Sequence, residues 1–132
     1  MDVTLVIPAH NEEGFIGACL DSVKRNTNGA CKEVIVVDNA STDRTAHEAR
    51  EHGAIVISEP QKGLTRARQK GLENSSGEYI AYIDADCIVP SDWVAKMQKH
   101  MSEYPDAVVY SGPIKYFDGP LLLRIFVVFV QW

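Results

Sequence analysis

The sequence has no surplus of basic charge, no paired cysteines, no glycine-rich phosphate loop and no apolar run long enough to cross a bilayer. Thirteen Lys and Arg stand against eighteen Asp and Glu, and the formal net charge of -5 argues against broad electrostatic binding to nucleic acid. Cys19, Cys31 and Cys87 are odd in number and share no paired spacing, so they read as buried thiols of a reducing compartment, not as a disulfide scaffold. Nothing matches G-x-G-x-x-G after a strand, nor G-x-x-x-x-G-K-[ST], which leaves a dinucleotide site and a P-loop without support. Met1-Asp2 runs into the apolar Val3 to Ile7 without a basic leader, so the chain is expected in the cytoplasm or at the cytoplasmic face of a membrane. No internal repeat, linker or low-complexity segment is visible.

What is present fits one folded unit. The length of 132 residues suits a single domain, and 45% apolar with 23% charged residues is enough to build a core. Only the end departs from this. Leu121 to Trp132 is almost wholly apolar, yet a span needs about 20 such residues and Arg124 interrupts the run. Three readings stay open for it: a core helix, which is the plainest, an interfacial helix, or the head of a longer span. The expected division is 1–118 as the folded part and 119–132 as an apolar tail that opens a missing or membrane-associated segment. Membrane association or self-association would follow from such a tail.

Between the ends, short β-rich runs alternate with helical patterns. Strands are expected at Val3 to Ile7, Glu33 to Val37, Ala54 to Ser58, Tyr79 to Ile83 and Ala107 to Ser111, with a further one near Ile114 to Phe117. Phe15, Ile16, Cys19, Leu20 and Val23 recur at helical spacing, with Glu12 and Glu13 placed in the opening turn. A second helix is expected from the cap cluster Ser41-Thr42-Asp43 to about His52, where Gly53 ends it. A third spans Leu64 to Asn74, and a fourth follows Pro90 with Ser91 as its cap. This alternation predicts an α/β fold, a mainly parallel sheet with helices on both faces.

In such sheets ligands sit at the carboxyl ends of the strands, and there the sequence is acidic. The first strand leads into Pro8-Ala9-His10-Asn11-Glu12, the second into Asp38-Asn39, and the fourth into Asp84-Ala85-Asp86. If the strand continued through Asp84 and Asp86, its two-residue period would turn both carboxylates the same way and call for a cation between them.

These stretches, read with Gly63 to Gly71, resemble the N-terminal half of a family 2 glycosyltransferase of the GT-A, or nucleotide-diphospho-sugar transferase, fold. The resemblance covers the chain to about Tyr116 with four motifs in order, and it implies a truncated domain. It further implies an inverting transferase that takes a nucleoside diphosphate sugar, a UDP-sugar in particular, with Mn2+ or Mg2+ to neutralise the leaving diphosphate. The acceptor, a glycan, lipid or protein, is not specified. By resemblance the donor is bound by Pro8, Ala9, Glu12, Asp38, Gly63, Arg68, Asp84 and Ala85, and the metal by Asp86 with Asp84.

Chemistry supports each assignment to a different degree. An ionised Asp38 offers only acceptors, which suits the imide hydrogen of uracil. Arg68 presents a rigid fork of donors to carbonyl or phosphate oxygens, whereas Arg66 and Lys70 read as a solvated face. Asp is common in turns regardless of function, and Glu12 equally fits a first-turn acid facing water. Gln61 and Gln69 depart from the asparagine often found at these places in the family. His10 reads as pocket lining, and Trp93 as an aromatic packed on the sheet.

No general base is identifiable, Asp118 being the only late acid to consider, so the chain alone is expected to be inactive in transfer. Two other readings compete: a donor-binding but catalytically incomplete fragment, and a sugar nucleotidyltransferase. The second should carry a glycine in the loop after its first strand, which Pro8 to Glu12 lacks.

Overall fold

A computed structural model describes residues 2–114 and 125–131. The strands are β1 (Val3–Ala9), β2 (Cys31–Asp38), β3 (Ile55–Ser58), β4 (Tyr79–Tyr82), β5 (Val109–Ile114) and β6 (Ile125–Gln131). The helices are α1 (Ile16–Thr27), α2 (Thr45–Glu51), α3 (Leu64–Glu73) and α4 (Trp93–Glu103). Together the strands form one sheet in the order β3-β2-β1-β4-β6-β5, in which the first four are parallel and β6 runs antiparallel to both neighbours.

The parallel part is buried on both faces, as β1 shows. All seven of its residues are buried, and the two-residue period divides them between layers. Val3, Leu5, Ile7 and Ala9 join Ile16, Cys19, Leu20, Ala49 and Met97 in one cluster, so α1, α2 and α4 cover that face. Val6 joins Ile35, Val37, Ala67 and Ile80 in the other, beneath α3. Gly71 lets α3 sit close to the sheet: a Cβ there would run into Val6 Cγ1 and crowd Val37 Cγ2.

Proline in a central strand is ordinarily excluded because it cannot donate to the ladder. Here Val6 turns its carbonyl to the Ile83 N–H and Ala9 turns its own to the Asn39 N–H, so alternation aims the Pro8 nitrogen toward β4. The β1–β4 ladder has already ended at Val6 and Tyr82, so no bond is lost.

Several expectations need correction. The part of the apolar tail within the described residues is the strand β6, paired on both sides, and not a helix; its content of β-branched residues and phenylalanine suits that choice. The strand expected from Ala107 begins instead at Val109 and runs to Ile114, while Lys115 to Phe117 and Asp118 lie outside the described residues. Ser91 does not cap α4; Asp92 holds the N-cap position and pairs with Lys96 at 2.6 Å.

Candidate active site

The loops that follow β1, β2, β3 and β4 meet at one edge of the sheet. Glu12 and Glu13 lie before α1, not in its first turn, because the turn there closes onto the Glu12 carbonyl, which accepts from the N–H groups of Phe15 and Ile16. Their backbone is then free to bind the loop before α2. The Asn11 N–H donates to Ser41 Oγ at 3.0 Å, the Glu12 N–H to Thr45 Oγ1 at 2.7 Å and the Glu13 N–H to Asp43 Oδ2 at 3.2 Å. In return the Thr42 N–H reaches Asn11 Oδ1 at 2.8 Å and the Arg44 N–H reaches Glu13 Oε2 at 2.8 Å. The cluster Ser41-Thr42-Asp43 therefore fastens two loops together as well as preparing α2, for Asp43 Oδ1 also accepts from the Thr45 N–H at 3.0 Å. Asn11 and Ala40 hold positive φ of 56° and 57°, so the backbone is locally unfavourable on both sides of this junction.

Asn39 ties in the third loop. It is buried, and its amide nitrogen donates to the carbonyls of Glu59 and Gln61 at 3.1 and 2.8 Å while its oxygen accepts the Gly63 N–H at 2.7 Å. Gly63, at φ 155° and ψ 124°, adopts a conformation that side chains oppose, and its carbonyl starts α3 by accepting the Ala67 N–H. His10 Nδ1 lies 2.8 Å from the Asn39 carbonyl, which can only accept, so that nitrogen carries the proton.

The fourth loop differs from the strand expected of it. β4 ends at Tyr82, and Asp84 to Cys87 form a turn closed by the Cys87 N–H on the Asp84 carbonyl at 3.1 Å. Turn geometry and not strand alternation thus brings the acids together. A carboxylate oxygen of Asp84, one of Asp86 and the Cys87 sulfur all lie within 4.8 Å of one another.

An open cleft of about 410 Å³ lies between these loops, lined by Pro8, Ala9, His10, Glu12, Asn39, Lys62, Gly63, Leu64, Ala67, Asp84, Ala85 and Asp86. Seven of the nine residues expected at the site, Pro8, Ala9, Glu12, Gly63, Asp84, Ala85 and Asp86, are in that lining. The other two stand beside it. Asp38 ends β2 and accepts the Ser41 N–H on Oδ1 at 3.2 Å, and Arg68 pairs with Asp84 through Nη2 to Oδ1 at 3.5 Å. Asn39, Lys62, Leu64 and Ala67 were not foreseen as lining. Position directly around Gly63 is the signal that points to Lys62 and Leu64, and Ala67 follows one helical turn later.

Charge in the cleft is unbalanced. Burial first, and then the charges of Asp86, Asp43 and Asp84, push the Glu12 carboxyl above its usual range, with His10 opposing them. Burial likewise pushes up the Cys87 thiol, and the Cys19 thiol behind it reaches about 12. Without a cation neither thiol is readily ionised, and the two aspartates are the ready anionic donors of the group. Two carboxylates fit a hard divalent cation that completes its shell with water and phosphate oxygens.

The sequence profile of glycosyl transferase family 2 matches residues 4–125. The chain belongs to that family. It is 33% identical over 107 residues to glycosyltransferase GlyA of Streptococcus pneumoniae, a match covering 77% of this chain and 15% of GlyA. Glucosyl-3-phosphoglycerate synthase from Mycobacterium tuberculosis, solved in complex with Mn2+, uridine-diphosphate and glucosyl-3-phosphoglycerate, is similar at 30% identity and a TM-score of 0.66 over 76% of this chain and 39% of that one. TarS of S. aureus shares the fold at a TM-score of 0.77 and 22% identity, over 93% of this chain and 38% of that one. The fold is thus of the GT-A kind, and the chain spans well under two thirds of the length of each of these proteins. Among the described residues no helix is long and apolar enough to cross a membrane.

Proposed function

We propose that this chain forms the donor-binding part of an inverting, metal-assisted glycosyltransferase that takes a UDP-sugar. The observation that carries the reading is the meeting of Pro8, Ala9, Glu12, Gly63, Asp84, Ala85 and Asp86 in one cleft at the carboxyl ends of parallel strands. The solved relative holding both uridine-diphosphate and Mn2+ supports it.

In this reading Asp84 and Asp86 hold Mn2+ or Mg2+, which when bound would neutralise charge on the departing diphosphate. Asp38 keeps a second carboxylate oxygen beyond the one given to Ser41, and with it accepts the imide hydrogen of uracil. Arg68 offers its fork to a carbonyl or phosphate oxygen, and the N-terminus of α3 adds its positive end nearby. Pro8 and Ala9 wall the nucleoside. Glu12 lines the same cleft, where its carboxylate can accept a hydrogen bond from a ribose hydroxyl.

Transfer also needs an acceptor pocket and a base within hydrogen-bond reach of the attacking hydroxyl. We assign neither here, so this chain is read as binding donor and transferring little sugar, with a glycan, lipid or protein as the acceptor of the whole enzyme. The free thiols Cys19, Cys31 and Cys87 accord with a cytoplasmic setting. Titration calorimetry with UDP, GDP and CDP, with and without Mn2+, tests the reading. UDP should bind best and lose affinity to a chelator; equal binding of all three nucleotides, indifferent to chelation, overturns it.

A further inference from the structure

We propose that Arg68 is the built-in counter-ion of the cation site: it pairs with Asp84 until a cation arrives, then yields that carboxylate and turns to the donor. The proposal rests on the donor-site reading above and adds to it a coupling between cation and nucleotide.

One carboxylate serves two partners here. Asp84 Oδ1 lies 3.5 Å from Arg68 Nη2, and an oxygen of the same side chain lies within 4.8 Å of the Asp86 and Cys87 ligand atoms. The helix that carries Arg68, and with it the start of the side chain, is fixed by packing and by backbone bonds. Ala67, next to Arg68, is buried, and Gly71 lets α3 press onto Val6 and Val37, which sets how closely the helix sits on the sheet. Tyr82, the last residue of β4, donates its hydroxyl to the Arg68 carbonyl at 3.3 Å, so helix and acidic loop are joined two residues before Asp84.

The pair itself is easily given up. At 3.5 Å it is long for a hydrogen bond, and both side chains are nearly half exposed, 45% and 49%. An exposed pair of this kind is expected to weaken donor-free cation binding by about two- to fivefold. What the cation loses to Arg68 the donor regains, since the released guanidinium can meet a phosphate or carbonyl oxygen. Binding free energies being reciprocal, each of the two ligands then raises the affinity for the other.

Mn2+ binding to the full chain, followed by electron paramagnetic resonance with and without UDP, tests this on the wild type, Arg68→Gln, Lys62→Gln and Asp86→Asn. Arg68→Gln should bind Mn2+ about two- to fivefold more tightly without UDP and show a smaller gain when UDP is added. Lys62→Gln, which removes a cleft charge of the same sign but no ion pair to Asp84, should change donor-free Mn2+ affinity less. If Arg68→Gln leaves Mn2+ affinity equal or weaker, or if Lys62→Gln strengthens it as much, the counter-ion role is refuted. Asp86→Asn keeps the two levels apart. Mn2+ binding that ignores Asp86 refutes the donor-site reading itself, whereas binding that needs Asp86 and ignores Arg68 refutes only the present proposal.

Discussion

At the two ends of the same parallel strands, carboxylates are treated in opposite ways. Where the strands begin, one oxygen of Glu33 takes the Thr4 hydroxyl at 2.6 Å and the N–H and hydroxyl of Ser76 at 2.7 and 3.0 Å. The Thr4 bond, followed by those from Ser76 and against some burial, holds the Glu33 carboxyl below its usual range. Where the strands finish, burial first and then the charges of Asp86, Asp43 and Asp84 push the Glu12 carboxyl up. One end has given its acid to internal donors; the other gathers Glu12, Asp84 and Asp86 in one cleft, where Arg68 meets Asp84 through a long, exposed pair. Perturbation in itself does not mark a site. Its direction and its cause do: hydrogen bonds from the chain signal stability, while burial joined with neighbouring like charge in a cleft points to a ligand.

The end where the strands begin is the more sensitive to a single added methyl group. Gly77 donates its N–H to Thr4 Oγ1 at 2.9 Å, and a Cβ on it would come within 2.6 Å of the Thr4 nitrogen and 3.0 Å of the Asp2 carbonyl. Backbone cannot swing aside as a side chain does, so Gly77→Ala should cost about 3 kcal/mol or more, the upper part of the range for overpacking. Denaturant unfolding measures it. The same variant, where folded, should bind UDP with Mn2+ as the wild type does; a weakened donor site in a fully stable protein would join the two ends that the comparison separates.

The next effect belongs to the other end. Asp86→Asn removes a charge from the proposed cation site and should weaken Mn2+-assisted UDP binding by at least about tenfold, while stability moves by no more than about 0.5 kcal/mol. Glu12→Gln in the same assay should cost far less. Comparable losses would mean that the ion lies elsewhere among these acids.

How much of this was legible in the sequence differs between the two ends as well. The site end was readable because its chemistry is written in contiguous stretches: Pro8-Ala9 with Glu12, Gly63, and Asp84-Ala85-Asp86 each follow a strand or open a helix. The α/β alternation was equally plain, since β1, β2 and β4 are apolar runs and α1 carries helical spacing. The latch of Thr4, Glu33, Ser76 and Gly77 was invisible, because four residues from three segments meet only through strand pairing. Asn39 was underestimated for the same reason. As a sequence residue it is one more turn former, and only its bonds to Glu59, Gln61 and Gly63 show that it holds the third loop. The acids of the fourth loop were grouped correctly from a strand argument that does not apply, for β4 stops at Tyr82 and the turn does the grouping. Ile125 to Gln131 misled by length and apolarity, which do not distinguish a buried helix from a strand inserted between two others.

The smallest effect is the sharpest form of the comparison, because it concerns sign. The folded pKa of Glu33 lies below its unfolded value, so its contribution is fully present above the unfolded pKa and is lost as pH falls through the folded one. Glu12 has the opposite displacement: the folded state holds its proton longer, so stability declines as pH rises from the unfolded carboxyl value through the raised one. Glutamine keeps an acceptor oxygen for Thr4 and Ser76, and Glu33→Gln should therefore lose only the charge assistance, about 1 kcal/mol near neutral pH and less in acid. Glu12→Gln should do the reverse, gaining a few tenths of a kcal/mol near neutral pH, about the worth of a partly screened like-charge contact, and nothing in acid. Unfolding free energies of both variants and the wild type, from about pH 3 to about pH 7, give the two differences as curves of opposite slope across the carboxylate range. Saturating Mn2+ should then flatten the Glu12 curve by neutralising Asp84 and Asp86, while leaving the Glu33 curve where it was. Curves of the same slope would contradict the opposite displacements of the two carboxyls, and a Glu12 curve indifferent to Mn2+ would show that no cation settles beside Asp84 and Asp86.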